Sequence, residues 1–140
     1  MTCATNPKSQ KRGGGDIWIV KFNASNGAII WEQSYGGTEF DTSRGITKLK
    51  NDYYAIAGSA RSSDIDLTIN YGANDAWLIL IDENGNLKFE KNVGGSDIDF
   101  ANKTIGTNEN EIIVVGSSLS NDGDIIINKG NKDILIFKIR

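Results

Sequence analysis

Apolar and polar residues alternate along this chain in short runs rich in β-branched and aromatic side chains, and Gly, Asn or Asp cuts each run. No stretch keeps apolar residues at the three- and four-residue spacing of a helix face. The pattern predicts strands over Asp16 to Phe22, Ile29 to Tyr35, Arg44 to Lys50, Tyr53 to Ala60, Asp75 to Asp82, Leu87 to Gly94 and Asp133 to Arg140. Asn51 and Asp52 suit a tight hairpin, and Asn84 with Gly85 offers the positive backbone angles of a primed turn.

The runs repeat. At a spacing of 58, Gly27 falls on Gly85, Trp31 on Phe89, Gly36 and Gly37 on Gly94 and Gly95, Asp41 on Asp99, and Gly58 with Ser59 on Gly116 with Ser117. The register continues through Asp64 and Asp122, Asp66 and Asp124, Asn70 and Asn128, Gly72 and Gly130, and Asp75 and Asp133. Trp18 anticipates Trp77 with one extra residue in the following turn. A repeat of this length is one supersecondary unit that cannot bury its apolar face alone.

Each unit holds four strands with short connections and one longer loop, which predicts an all-β protein built as an arc of a β-propeller with four-stranded antiparallel blades. A β-solenoid or a β-sandwich is the alternative. The expected division is a flexible, polar, Gly-rich tail over 1–15, a partial blade over 16–40, a full blade over 41–98 and a partial blade over 99–140. That is two strands, then four, then three, or about two and a quarter blades, where propellers have about four to eight. Such an arc cannot close alone, and its ends leave unpaired apolar strand edges that invite association. Two or three copies, a larger parent with this chain as its C-terminal arc, or exchange of terminal strands would complete it.

Composition changes this picture in two ways. At 140 residues and a net charge of −3, with basic residues scattered along the chain, there is one domain's worth of sequence and no footprint for nucleic acid. The apolar runs are too short to span a bilayer as a helix, and no signal peptide is present as written. The single cysteine, Cys3, has no internal disulfide partner. A cysteine ahead of a polar tether also fits the mature end of a bacterial lipoprotein, the alternative being an isolated exposed thiol. More decisively, the chain has no histidine, which excludes Ser/His/Asp and Cys/His catalysis and every histidine metal site.

Carboxylates remain as candidate chemistry. Asp97 with Asp99, or Glu39 with Asp41, would serve as an acid and base for glycoside cleavage. However, Asp41 and Asp99 occupy the same position in two units, which fits a recurring turn carboxylate accepting backbone N–H bonds better than one active site. The longer loops place Asp64, Asp66 and Asn70, and again Asp122, Asp124 and Asn128, in the oxygen-rich spacing that suits calcium, with Asx turns as the structural alternative. Trp18, Trp31, Tyr35, Trp77 and Phe89 recur at equivalent places and are expected to pack blade on blade. Arg44, Tyr53, Tyr54, Arg61 and Tyr71 break the repeat and combine residue types that interfaces favour, so they are the interaction candidates.

The series Asp75, Trp77, Asp82, Asn84, Gly85, then Gly94, Gly95 and Asp99, then Gly116, Ser117, Asp122, Gly123, Asp124 and Asn128 resembles the propeller repeats of secreted and surface proteins of bacteria that use type IX secretion, close to the SBBP repeats. The resemblance covers residues 16–140 and is specific for the repeat rather than for an activity. It implies an extracellular or cell-surface location, although the copies are too few for a ring and neither an export signal nor a sorting domain is recognised. The resulting expectation is a non-enzymatic extracytoplasmic binding or scaffold module with no cofactor apart from possible calcium, acting through self-association or partner association. A carbohydrate-binding or carbohydrate-active arc using carboxylates and Trp residues is the alternative.

Overall fold

The computed structural model describes residues 12–140, so Cys3 and most of the expected tail lie outside the described residues. The described chain is all-β, with nine antiparallel strands and no helix. They are β1 (Ile17–Phe22), β2 (Ile29–Tyr35), β3 (Asp41–Lys48), β4 (Tyr54–Ala60), β5 (Asp75–Ile81), β6 (Leu87–Val93), β7 (Asp99–Gly106), β8 (Ile112–Ser118) and β9 (Asp133–Ile139). Their sheets are β1-β2, β3-β4-β5-β6 and β7-β8-β9, the expected two, four and three, and none closes on itself.

Residues opposite each other in a sheet share a face, so the register shows what each face carries. In the middle sheet, Trp77, Ile79 and Ile81 pair with β4 through Gly58, Ile56 and Tyr54. This face joins Ile17, Ile19, Trp31 and Tyr35 of the first sheet in one apolar cluster. The opposite face carries Ala55, Ala57, Ala76 and Leu78, which cluster with Ala101, Ile112, Val114, Leu135 and Phe137 of the third sheet. The three sheets therefore stack in chain order, with the middle one covered on both sides. Polar ties cross the first junction: Tyr35 Oη–H donates to the Gly85 carbonyl (2.7 Å) and Trp31 Nε1–H to the Glu83 carbonyl (2.9 Å). Across the second, the Arg44 guanidinium lies 4.5 Å from the centre of the Phe100 ring.

Three local details differ from the sequence expectation. The first strand of the unit begins at Asp41 rather than Arg44, because Asp41 and Thr42 pair with Ala60 and Ser59 before a bulge at Ser43/Gly45. That bulge requires glycine opposite it: a Cβ on Gly58 would overlap the Thr42 carbonyl oxygen, and one on Gly116 the Phe100 carbonyl oxygen at the matching bulge of the third sheet. The turn at Asn84 and Gly85 is not primed, because of the two only Gly85 has a positive φ (77°). Gly85 N–H donates to the Asp82 carbonyl (3.1 Å) and Asp82 N–H to the Asn86 carbonyl (3.0 Å), which makes a three-residue loop with a glycine bulge. The Asp82 carboxylate accepts the Asn84 and Asn86 N–H groups (2.9 Å each) and holds that shape. Finally, residues 12–15, expected to end the tail, join the fold. Gly14 N–H donates to the Glu39 carbonyl (2.9 Å), and Gly15 forms a parallel bridge with Phe40, as Asn74 does with Ile98.

Two stability predictions follow from burial and backbone. Trp77 is 1% exposed and Trp18 63%. Replacing Trp77 by Ala should therefore cost about 3–5 kcal/mol, and replacing Trp18 less than about 1 kcal/mol, as read by urea unfolding of the single chain at a dilution where it does not associate. Ile65 sits at φ 60° where the next unit has Gly123 at φ 63°. Relief of about 1–2 kcal/mol of left-handed strain outweighs glycine's entropic penalty of about 0.5–1 kcal/mol. Ile65→Gly should therefore raise the melting temperature, and a lower one would refute the strain.

Candidate functional site

Two kinds of feature hold the polar and apolar groups that could act on a partner: the aspartate-lined junctions between sheets and the outer faces of the end sheets. At each junction a glycine leaves one sheet beside two carboxylates, of which Asp41, Asp75 and Asp99 are buried and Asp16 half-buried. A Cβ on Gly36 would lie 2.7 Å from Asp16 Oδ1 and 2.8 Å from Asp41 Oδ2, and one on Gly94 2.5 Å from Asp75 Oδ1 and 2.7 Å from Asp99 Oδ2. Asp41 accepts the Gly37 N–H (2.8 Å) and the Ser62 hydroxyl (2.6 Å). Asp99 accepts the Gly95 N–H (2.9 Å) and the Ser120 hydroxyl (2.8 Å). These are the turn bonds expected of a recurring aspartate. Glu39 and Asp97 use their backbone N–H groups on Ser62 and Ser120 (3.0 Å each).

Most of the long-loop side chains are also occupied within the protein. Asp64 accepts both the backbone N–H and the hydroxyl of Thr38 (2.9 Å each), and Asp122 accepts the Ser96 N–H (2.7 Å), which holds its carboxyl below the usual range. Asn70 donates to the Arg61 carbonyl and accepts the Gly72 N–H (3.0 Å). Asn128 donates to the Ser118 and Ser120 carbonyls (3.2 and 3.1 Å) and accepts the Gly130 N–H (3.0 Å). Asp66 pairs with Arg12 and accepts the Gly36 N–H (3.2 Å), while Asp124 is exposed and uses its own N–H on the Gly94 carbonyl (2.9 Å). Among the described residues, no three His, Cys, Asp or Glu side chains are gathered so as to hold a metal ion.

The junctions differ in charge. Arg12 joins the first, through its guanidinium on Asp66 and its N–H on Asp16 (2.8 Å). At the second, the corresponding N–H on Asp75 (2.7 Å) comes from Tyr71, which brings no charge. Asp75 is fully buried, and its Oδ1 has no protein partner among the described residues. Burial pushes its carboxyl up to about 6; the Tyr71 bond opposes this, and the charges of Asp99 and Asp124 add to it.

The interaction candidates do not form one surface. Tyr53 and Tyr54 lie at one end of β4 and Arg61 at the other, about 20 Å away by strand rise. Tyr54 packs against the core, Arg44 sits over Phe100, and Tyr71 is 40% exposed in the long loop.

Sequence reasoning missed the outer faces as surfaces. Trp77 and Tyr35 are buried and Trp31 packs inward, as expected, but Trp18 points outward and Phe89 is only partly covered. Trp18, Val20, Phe22 and Ile29 line the open face of the first sheet. Ile134 and Ile136 pair with Ser117 and Val115 on the open face of the third, together with Ile113. Ile134 is 78% and Ile136 64% exposed. The signal was available in the repeat: Trp18 corresponds to buried Trp77, and Ile134 and Ile136 to buried Ala76 and Leu78.

No protein-family model matches the chain, and no curated protein matches it.

The Asp75 shift sets a pH dependence. An unfolded aspartate titrates near 4, so the folded chain takes up a proton as pH falls through about 6. This group therefore adds stability between pH 7 and 4, and its charge penalty is complete above 7. Asp75→Asn should be more stable than the parent at pH 8 by on the order of 2–3 kcal/mol, with the gain gone at pH 4. Melting curves of both chains across that range check it, and a gap independent of pH would refute the assignment.

Proposed function

We propose that this chain is a non-enzymatic, extracytoplasmic binding or scaffold module, an arc of a β-propeller that works by engaging protein partners on its open sheet faces. One observation carries the reading: the positions that are buried between neighbouring sheets are apolar and exposed on the two end sheets. Monomeric proteins rarely present contiguous apolar sheet faces, and exposed ones mark interaction sites.

The non-enzymatic part is supported by the carboxylates. Asp41 and Asp99 accept the same glycine N–H and serine hydroxyl in two units, and the chain lacks histidine for the common hydrolytic arrangements. The propeller arc is supported by three antiparallel sheets stacked in chain order, each a set of the same strand types. The extracytoplasmic location is supported by the likeness of the repeat residues to those of exported proteins.

A photo-reactive amino acid placed at position 18, 136 or, as a control, 51 tests the reading in a native extract. Residue 51 lies in an exposed hairpin turn away from both faces. Protein adducts at 18 or 136 and none at 51 are expected. Adducts at 51 alone, or at no position, would remove it.

A further inference from the structure

We propose that the partner for these faces is a second copy of this chain, docked head to tail: the outer face of the first sheet of one copy covers the outer face of the third sheet of the next. The inference rests on the reading above that the open faces are binding surfaces, and it adds the occupant.

The internal junctions supply the template. At each of them one sheet presents a leading face to the trailing face of the sheet before it. The leading face of the middle sheet is built by Trp77, Ile79 and Ile81, and it seats on Ile17, Ile19 and Trp31 of the first sheet. Its trailing face, built by Ala76, Leu78, Ala55 and Ala57, receives Leu135, Phe137, Ile112 and Val114 of the third. By position in the repeat, Trp18, Val20 and Phe22 make the leading face of the first sheet, which no other sheet covers among the described residues. Ile134, Ile136, Ile113 and Val115 make the trailing face of the third, which no other sheet covers among the described residues.

One chain thus exposes both halves of an interface that it forms internally twice. Burial at the ends is reversed in the way this requires. Trp77 is 1% exposed and its counterpart Trp18 63%, while Ala76 and Leu78 are 0% exposed and their counterparts Ile134 and Ile136 78% and 64%. Bulk is no obstacle: the first junction already packs Ile17, Ile19 and Trp31 against Ile56, Trp77, Ile79 and Ile81. Apolar burial supplies the driving force, and two different faces make the contact heterologous, so copies add in series toward a ring or a filament.

A mixing experiment with the full chain decides it. Trp18→Lys places a charge on the leading face and Ile136→Lys on the trailing face, both at exposed sites, so circular dichroism and melting should show each variant folded. The parent should scatter light as a species larger than one 15.2 kDa chain, growing with concentration. Either variant alone should fall to a single chain, because every contact needs both faces. Mixed in equal amounts, the variants should form a dimer of one copy of each, since Trp18→Lys keeps its trailing face and Ile136→Lys its leading face.

A parent that stays monomeric overturns the proposal, as does a single variant that still associates or a mixture that stays monomeric. Photo-adducts from positions 18 or 136 to other proteins, with a monomeric parent, would leave the binding reading standing while the homotypic partner falls. Loss of both results removes both.

Discussion

β4 and β5 carry buried side chains at almost every position, so both faces of their sheet need a cover, and among the described residues the neighbouring sheets, with Leu67 of the long loop, supply it. Burial of one large apolar side chain is worth about 1.5–3 kcal/mol, so the doubly covered middle sheet holds much of the driving force. The same requirement defines the ends. A sheet with one neighbour keeps the second face its repeat prescribes, and that face stays exposed, as at Trp18 and Ile134.

Stacking sheets at fixed spacing also demands that the chain step from one to the next without leaving buried backbone groups unpaired. The glycine, aspartate and serine cluster performs that step. Asp41 and Asp99 accept N–H groups where the chain turns out of one sheet, Ser62 and Ser120 extend the network, and the glycines let carboxylates of two sheets approach the backbone. A carboxylate used this way has its lone pairs directed at the protein. The satisfaction is incomplete: Asp16, Asp75 and Asp99 each keep one buried carboxylate oxygen with no partner among the described residues.

The two junctions show how one backbone plan takes different electrostatics. Arg12 brings a guanidinium to Asp66 and its N–H to Asp16, whereas Tyr71 repeats only the N–H bond, on Asp75. The backbone contact is set by the repeat, while the charge depends on a side chain the repeat leaves free to vary.

The strand types, their grouping as two, four and three, and the structural use of the repeated aspartates were legible in the residues alone, because strand periodicity and glycine turn chemistry are local. The start of the unit at Asp41 was not, since a polar Asp-Thr-Ser run reads as turn until Ala60 and Ser59 are seen opposite it. Nor was the shape of the Asn84 and Gly85 loop, which the Asp82 carboxylate selects through hydrogen bonds that spacing does not reveal. Tertiary structure alone decided which equivalent residues are inside. Trp18 and Trp77 have the same type and the same strand position, and only the presence or absence of a sheet in front of each makes one exposed and the other core. Sequence sets what a face is made of; burial is a property of what lies against it.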